Sequence, residues 1–369
     1  MRVVYFTHSL ASCWNNGNAH FLRGVLRELI ALGHDAIAFQ PRTGWSLDNL
    51  LKDHGPHALD AFRTTYPELR PVDYDADADL EACVAGADAV IVHEWNEPGL
   101  VVALGKLRAR GGRFSLLFHD THHRAVSDPG AIGSSDLDGY DAVLAFGEAL
   151  AEVYRRRGWG RSVHVWHEAA DIRLFRPPRL ERKRKGLVWI GNWGDDERSG
   201  EITDFLLRPA AEADLPLDIY GVRYPKAALD ALKRHGARFR GWLPNALAPS
   251  AFARHLATVH VPRQIYADQL PGIPTIRVFE ALACGIPLVS AHWDDAEGLF
   301  RPGQDFMMAT NSEDMVQHLL ALKHDPDLRR SLAASGLATV RARHTCRHRV
   351  EQLLEIIGQI RAEPAEVAA

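Results

Sequence analysis

The chain has 369 residues, 46% hydrophobic and 24% charged, with a formal net charge of −4. That length is too great for one compact core and suits two domains of ordinary size in a folded globular protein. The charge gives no polyanion-binding footprint, so no nucleic-acid partner is expected, and no apolar run reaches the length of a membrane span.

The opening MRVVYFTHSL runs straight into a strand (2–7) with no signal-peptide core. Cys13, Cys83, Cys284 and Cys346 form no CxxC pair and read as reduced thiols of a cytosolic protein, with peripheral membrane association left open. After the first strand, NAHFLRGVLRELIALGH sets Leu22, Val25, Leu26, Leu29 and Ile30 at helical spacing, with Gly33 as the stop, and DAIAFQ (35–40) is the next strand. ADAVIVHEW, RFSLLFHD and YDAVLAFG supply three more apolar strands separated by helix-length segments. Such alternation predicts a parallel sheet covered on both faces. Residues 41–75 match no interpretable pattern.

HEAADIRLFRPPRLERKRKG (167–186) breaks the alternation with Pro177, Pro178 and a basic run from Arg179 to Lys185, and reads as an exposed interdomain linker. A second alternating set follows: strand GLVWIG, a helix from about Arg198, strand LDIYG, helix KAALDALKRHG, strand ARFRGW, a helix near 247–256 and strand ATVHVP. A helix in TIRVFEALACG, strands IPLVSA and DFMMAT, and helices to the end complete the chain. In the last of these, Val350, Leu353, Leu354 and Ile357 form one apolar stripe that must dock on something. The expected fold is α/β, two Rossmann-like doubly wound domains facing a cleft: 1–168, a linker at 169–185, and 186–345, with a helix at about 346–362 packing back on the first. In open α/β sheets ligands bind at the carboxyl ends of the strands.

The segment TIRVFEALACGIPLVS (275–290) carries the most chemistry. Ile276, Val278, Phe279, Ala281, Leu282 and Ala283 make its helix apolar all round, so the helix is buried. Arg277 and Glu280, three apart, read either as an ordinary surface ion pair or as functional groups. A carboxylate at the edge of a buried helix is costly unless something hydrogen-bonds it, which favours function. QLPGIPTI before it is Gly/Pro-rich and presents a helix N-terminus with Thr275 near the cap, where backbone N–H groups and the dipole suit phosphate. Phosphate at the helix start with Glu280 one turn in suits a nucleoside diphosphate, the acid accepting from ribose hydroxyls.

VFEALACGIPLVS resembles the nucleotide-sugar site of the GT-B glycosyltransferase superfamily, group 1. NNGNAHFLRGVLRELIALGHDAIAF (16–39) is similar to that family's glycine loop, first helix and second strand. DAVIVHEW (88–95), VWHEAADIRLFRP (165–177), WIGNW (189–193) and FRGWLP (239–244) match further segments in order, so the resemblance covers nearly the whole chain. HEAAD and FEALACG resemble most closely the spore-maturation, CgeB-like branch.

The resemblance implies a sugar transferase that uses a nucleotide-sugar donor and an unidentified acceptor, retains anomeric configuration, and needs no metal or other cofactor. It implies donor contacts at Glu280, Thr275, Ile276, Arg277, Gly17, Asn192 and Trp242. Cations on the leaving diphosphate would be Arg198 and Arg263, with Arg277 third. Many group 1 enzymes carry a second, sugar-contacting glutamate eight positions upstream, but here Gly272 stands there, leaving backbone N–H groups of Gly272 and Ile273 to reach the sugar or phosphate. In the first half, His119 and Asp120 of FHDTHH end a strand and are candidates for holding or deprotonating the acceptor, as are His93 and Glu94. The three histidines and one aspartate of that stretch lack a partner motif such as HExxH, so no metal site is expected. A non-catalytic nucleotide-sugar or glycan binder and a nucleotide-sugar epimerase are the competing readings. A dinucleotide dehydrogenase is disfavoured because no GxGxxG follows the first strand.

Overall fold

The computed structural model describes residues 1–178, 184–194 and 197–362. The chain divides into two units, one made of 1–12, 21–168 and the segment from 346, the other of 13–20 and 169–345.

The first unit is built on a seven-stranded sheet: β1 (Arg2–Phe6), β2 (Asp35–Pro41), β3 (Val72–Tyr74), β4 (Ala89–His93), β5 (Ser115–Asp120), β6 (Ala142–Ala145) and β7 (Val163–Val165). The order is β3-β2-β1-β4-β5-β6-β7 and every pairing is parallel. Every residue of β4, β5 and β6 is buried, which is why these strands read as unbroken apolar runs instead of alternating ones. Strand order reverses between β1 and β4, so the crevice where such sheets take ligands lies at the ends of those two strands.

The second unit repeats the plan with six parallel strands: β8 (Leu187–Ile190), β9 (Leu217–Tyr220), β10 (Arg238–Gly241), β11 (Ala257–His260), β12 (Leu288–Ala291) and β13 (Met307–Ala309). Their order is β10-β9-β8-β11-β12-β13, with the reversal between β8 and β11. Trp189, Ile219, Val259 and Val289 from the sheet pack with Leu206, Leu232, Met315 and Leu319 from the helices. The expected α/β class, two doubly wound parallel sheets, is what the chain adopts.

Three features differ from the sequence reading. Residues 13–20 lie between β1 and the body of the first helix (Ala19–Ala31), yet they group with the second unit. The start of the segment read as an exposed linker is interior: His167, Glu168, Ala169, Ala170, Asp171 and, further on, Phe175 are buried. Its polar letters are those of a segment tied down by hydrogen bonds, such as the one from the Phe175 backbone N–H to the Asp171 carbonyl. Residues 179–183 of the basic run lie outside the described residues. Finally, the uninterpreted stretch 41–75 contains the helices Trp45–His54 and Asp60–Thr65 and the edge strand β3.

The last helix, Cys346–Ala362, belongs to the first unit and is pinned there by side chains. Trp166 Nε1 donates to the Arg349 carbonyl at 2.8 Å, Arg349 Nε to the His167 carbonyl at 2.9 Å, and Gln352 Nε2 to the Val165 carbonyl at 2.9 Å. Its buried stripe is Val350, Leu353, Ile356 and Ile357, with Leu354 only partly covered.

One close approach in the first unit is testable. A Cβ on Gly139 would sit 2.4 Å from the Gly105 carbonyl oxygen in the helix Pro98–Ala109, a backbone atom that cannot turn aside. Gly139→Ala is expected to cost about 1–3 kcal/mol, as overpacking does, read as a lower urea midpoint of the first unit's transition. An unchanged midpoint would refute the contact.

Candidate active site

At the second unit's switch point, the loop after β8 and the end of β11 are joined by one cation. Arg198 is 9% exposed, donates from one terminal nitrogen to the Val261 carbonyl at 2.9 Å and from the other to the Asn192 carbonyl at 2.6 Å. Its Nε has no partner and, among the described residues, no carboxylate is paired with it. Burial, then Arg263, lowers its pKa to about 10, so it stays charged at neutral pH. Arg263 follows β11 and reaches Glu197 at 3.3 Å. Glu197 and Glu201 act on Arg198 only through space, so two neighbouring guanidinium groups, one with its Nε open, can take an anion.

Asn192 organises this loop. Its Oδ1 accepts from the Val222 backbone at 2.9 Å, and its Nδ2 donates to Asn15. Trp242, read as near a base pocket, follows β10 and is partly buried.

The helix Ile276–Ala283 runs from the crossover after β11, so its N-terminus is at the same end of the sheet. Thr275 is its N-cap, but its hydroxyl makes no capping bond and instead meets His260 Nε2 at 3.2 Å. His260 Nδ1 in turn meets Ser290 Oγ at 2.8 Å, and Ser290 donates to the Ala291 carbonyl. Ser290 therefore accepts from Nδ1–H, and Nε2 accepts from Thr275. Burial pushes His260 down to about 3, which agrees with this neutral tautomer. With Thr275 so engaged, no side chain caps the helix start. Ile273 and Ile276 are buried around that terminus, and the exposed Gly17 rests against Ile276 with ordinary van der Waals spacing.

Gly272 explains its own lack of a carboxylate. Its φ is +84°, and a Cβ there would lie 3.1 Å from both Cγ and Oε1 of Glu297. The backbone N–H of Gly272 is already given to the Asp294 carbonyl at 2.6 Å, so it is not available to a ligand in this state. An acid at 272 would be strained and displaced, and a carboxylate from another segment, Glu297, is already beside it.

Glu280 is not at the edge of its helix but wholly buried. Oε1 accepts from Asn245 Nδ2 at 2.8 Å and lies 3.0 Å from His20 Nδ1, while Oε2 is paired with Arg277. His20 Nε2 accepts the Asp171 backbone N–H at 2.8 Å, so the proton sits on Nδ1 and is given to Glu280. The contact is a close approach of the ring N–H to the carboxylate. Burial alone would raise the Glu280 carboxyl, but Arg277, His20 and Asn245 outweigh it and hold it below its ordinary value.

At the first unit's strand ends, the four candidate residues are all interior. His119 does not project from its strand end: its ring is fully buried against Trp166, His93 and Tyr5, and its Nδ1 is bonded to the Tyr5 hydroxyl. Burial pushes it down to about 3, so it is neutral. Asp120 accepts from the Tyr154 hydroxyl at 2.6 Å and the His122 backbone at 2.8 Å, and burial raises it to about 6. His93 accepts the Trp95 backbone N–H at Nδ1, 3.3 Å, and donates from Nε2 to Thr121 at 3.1 Å. Glu94 is paired with Arg124, though burial, then Asp120, raises its carboxyl. The sequence reading missed Arg124, Thr121, His20 and Asn245, whose partners are distant in the chain.

The Glu280 network yields a prediction. A carboxyl held below its ordinary value of 4.5 stabilises the fold fully above that pH, and the contribution is lost as pH falls through the depressed value. Arg277→Ala leaves a buried charge short of one partner and is expected to cost about 3–5 kcal/mol at neutral pH, with acid unfolding starting at higher pH. Adding Glu280→Gln should recover part of the loss. Equal denaturation curves for wild type and Arg277→Ala from pH 3 to 7 would overturn this account.

Comparison with known proteins bears on the fold and on the second unit. Residues 198–355 match a family model described as "Glycosyl transferase-like". No curated protein matches the sequence. Among solved structures, HepE from Anabaena in complex with UDP and glucose is similar at a TM-score of 0.68 and 16% identity, covering 97% of this chain and 99% of that one. A glycosyltransferase from Rickettsia africae (TM-score 0.67, 11% identity, 98% and 99% coverage) and the sucrose-phosphate synthase of Thermosynechococcus elongatus (0.64, 14%, 98% and 99%) are also similar. The chain thus has the GT-B fold, and residues 198–355, most of them in the second unit, are similar to a glycosyltransferase domain.

Proposed function

We propose that the chain transfers a sugar from a nucleoside-diphosphate-sugar donor to a hydroxyl acceptor. The observation that carries this reading is the pair of arginines at the ends of β8 and β11, Arg198 buried without a carboxylate partner among the described residues and Arg263 sharing one. A diphosphate supplies the missing negative charge. The nearby N-terminus of the helix Ile276–Ala283, with Thr275 drawn off to His260, favours the same anion. HepE, whose structure holds UDP and glucose, has the same fold and makes UDP the first nucleotide to test.

In this reading the departing diphosphate gains charge as the bond to the anomeric carbon breaks, and Arg198 and Arg263 lower that barrier with no metal. The acceptor oxygen bonds the anomeric carbon on the face the phosphate leaves, its proton passing to a phosphate oxygen, so configuration is retained. Asn192 and Gly17 shape the phosphate side, Trp242 the base side, and Gly272 and Ile273 the sugar side, where Glu297 supplies the carboxylate that position 272 cannot carry. Glu280 takes a ribose hydroxyl on Oε2, which requires Arg277 to move aside. His119 and Asp120 support the acceptor side from within the core. HEAAD and FEALACG favour the CgeB-like branch, and a cytoplasmic location goes with the reduced cysteines.

Two measurements test the reading. In a thermal-shift panel of UDP-, GDP-, ADP- and dTDP-sugars, one nucleotide should stabilise the protein, by about 2.7 kcal/mol at a hundredfold its dissociation constant. Glu280→Gln should weaken that nucleotide by about one decade; silence across the panel defeats the proposal. With a cognate donor, Arg263→Ala should cut kcat by roughly 10²–10³ with little change in KM, since its charge acts on the breaking bond. A rise in KM at constant kcat would make Arg263 a binding group only. Binding without release of free nucleotide would favour the non-catalytic binder, and donor turnover without nucleotide release the epimerase.

A further inference from the structure

The first unit's switch point holds a second arrangement that the nucleotide reading leaves unused. Trp95, two residues beyond β4, is 41% exposed while its neighbours His93, Glu94 and Asn96 are all buried. The indole is held in place: the Arg124 guanidinium carbon lies 4.1 Å from its ring centroid, and the His122 ring packs against it at 5.0 Å and 66°. Arg124 is itself fixed by the carboxylate and the backbone carbonyl of Glu94. His8, just after β1, completes the surround at 6.3 Å. An indole anchored by cation–π contact yet left open to solvent is a platform, because nothing in its own unit hides it.

Polar atoms beside the platform lack protein partners. Glu94 Oε1, His8 Nδ1 and Arg124 Nε are buried and make no hydrogen bond in the structure. Buried polar atoms are almost always satisfied, so an unmet set calls for water or a ligand. Their charges choose the ligand. Arg124 faces two carboxyl groups, Glu94 and Asp120, and burial, with Arg124, pushes His8 down to about 4, leaving it neutral. Asp120 is occupied by Tyr154 and the His122 backbone. With no cation to spare, the place does not attract phosphate as the second unit's arginines do. Donors, acceptors and one apolar face match a neutral ring that carries hydroxyls on its rim and C–H bonds on its face.

We propose that Trp95 is the floor of a carbohydrate subsite and that the acceptor in the transfer is itself a sugar, its pyranose ring stacked on the indole with hydroxyls meeting Glu94 Oε1 and His8 Nδ1. The word acceptor rests on the proposed function; the sugar binding does not. The test uses the full chain labelled with 5-fluorotryptophan, which reports nine indoles, with Trp95→Phe identifying the Trp95 resonance. Methyl β-D-glucopyranoside, cellobiose and maltose are titrated, with glycerol and inorganic phosphate alongside. At least one glycoside should move the Trp95 resonance saturably while glycerol and phosphate do not. Trp95→Ala should weaken that glycoside by about tenfold or more in calorimetry, and Trp95→Phe by less. Affinity for the nucleotide found in the panel, measured on the same variants, should stay constant, which shows that they fold and separates this site from the nucleotide site. The subsite is refuted if no glycoside shifts Trp95, if phosphate shifts it equally, or if Trp95→Ala binds the glycosides as wild type does. Failure of wild type to bind any nucleotide of the panel would remove the transferase reading and leave the sugar result standing.

Discussion

A single buried carboxylate organises the second unit. Glu280 cannot lie inside the protein unless donors reach it, and they arrive from three places: Arg277 on its own helix, Asn245 between β10 and the next helix, and His20 near the start of the chain. Each donor is itself held. His20 cannot turn because its Nε2 takes the Asp171 N–H and its ring packs 4.0 Å from Phe175, while the Asn245 backbone N–H reaches Cys13 Sγ at 3.3 Å. The same charge therefore fixes residues 13–20, the HEAAD segment and the loop after β10. This is the physical reason residues so near the N-terminus belong to the second unit.

The constraint explains why part of the architecture was legible in the sequence and part was not. Buried parallel strands such as AVIV and LLFHD announce themselves because both faces are covered and no polar alternation interrupts them. Helices with one apolar stripe do the same, with errors of a single residue, as Ile356 replacing Leu354 illustrates. Edge strands β3 and β7, three residues each, are too short to carry a pattern. HEAAD was misread because its polar residues look solvated, whereas they are buried, with His167 Nδ1 on the Phe146 carbonyl and the Asp171 backbone N–H on His20. That information exists only once the fold brings His20 and Asp171 together.

The candidate site divides along the same line. Glu280 was identifiable because a carboxylate in an apolar helix is anomalous, and Arg198 and Arg263 because they follow strands of an open sheet. Most of their partners were not, since Val261 and Asn192 hold Arg198 through backbone carbonyls any residue could supply, and the Asn245 amide reaches Glu280 from 35 residues away. His119 shows the opposite error. A histidine at a strand end suggests chemistry, yet this one fills an aromatic core and is neutral there.

The two sheets share topology but differ in what their switch points can hold, and the difference is electrostatic. At the second, Arg198 and Arg263 sit together, and Arg198 makes no ion pair among the described residues and keeps its Nε open, which suits an anion. At the first, Arg124 faces the carboxyl groups of Glu94 and Asp120, and His8 and His93 are neutral, so charge gives no reason for an anion to bind. The position of a ligand is thus set by strand order and its class by the few residues that follow the strands. Gly272 makes the same point on a smaller scale. Its left-handed backbone strains any side chain there, and a Cβ would press on the Glu297 side chain, so glycine suits that place.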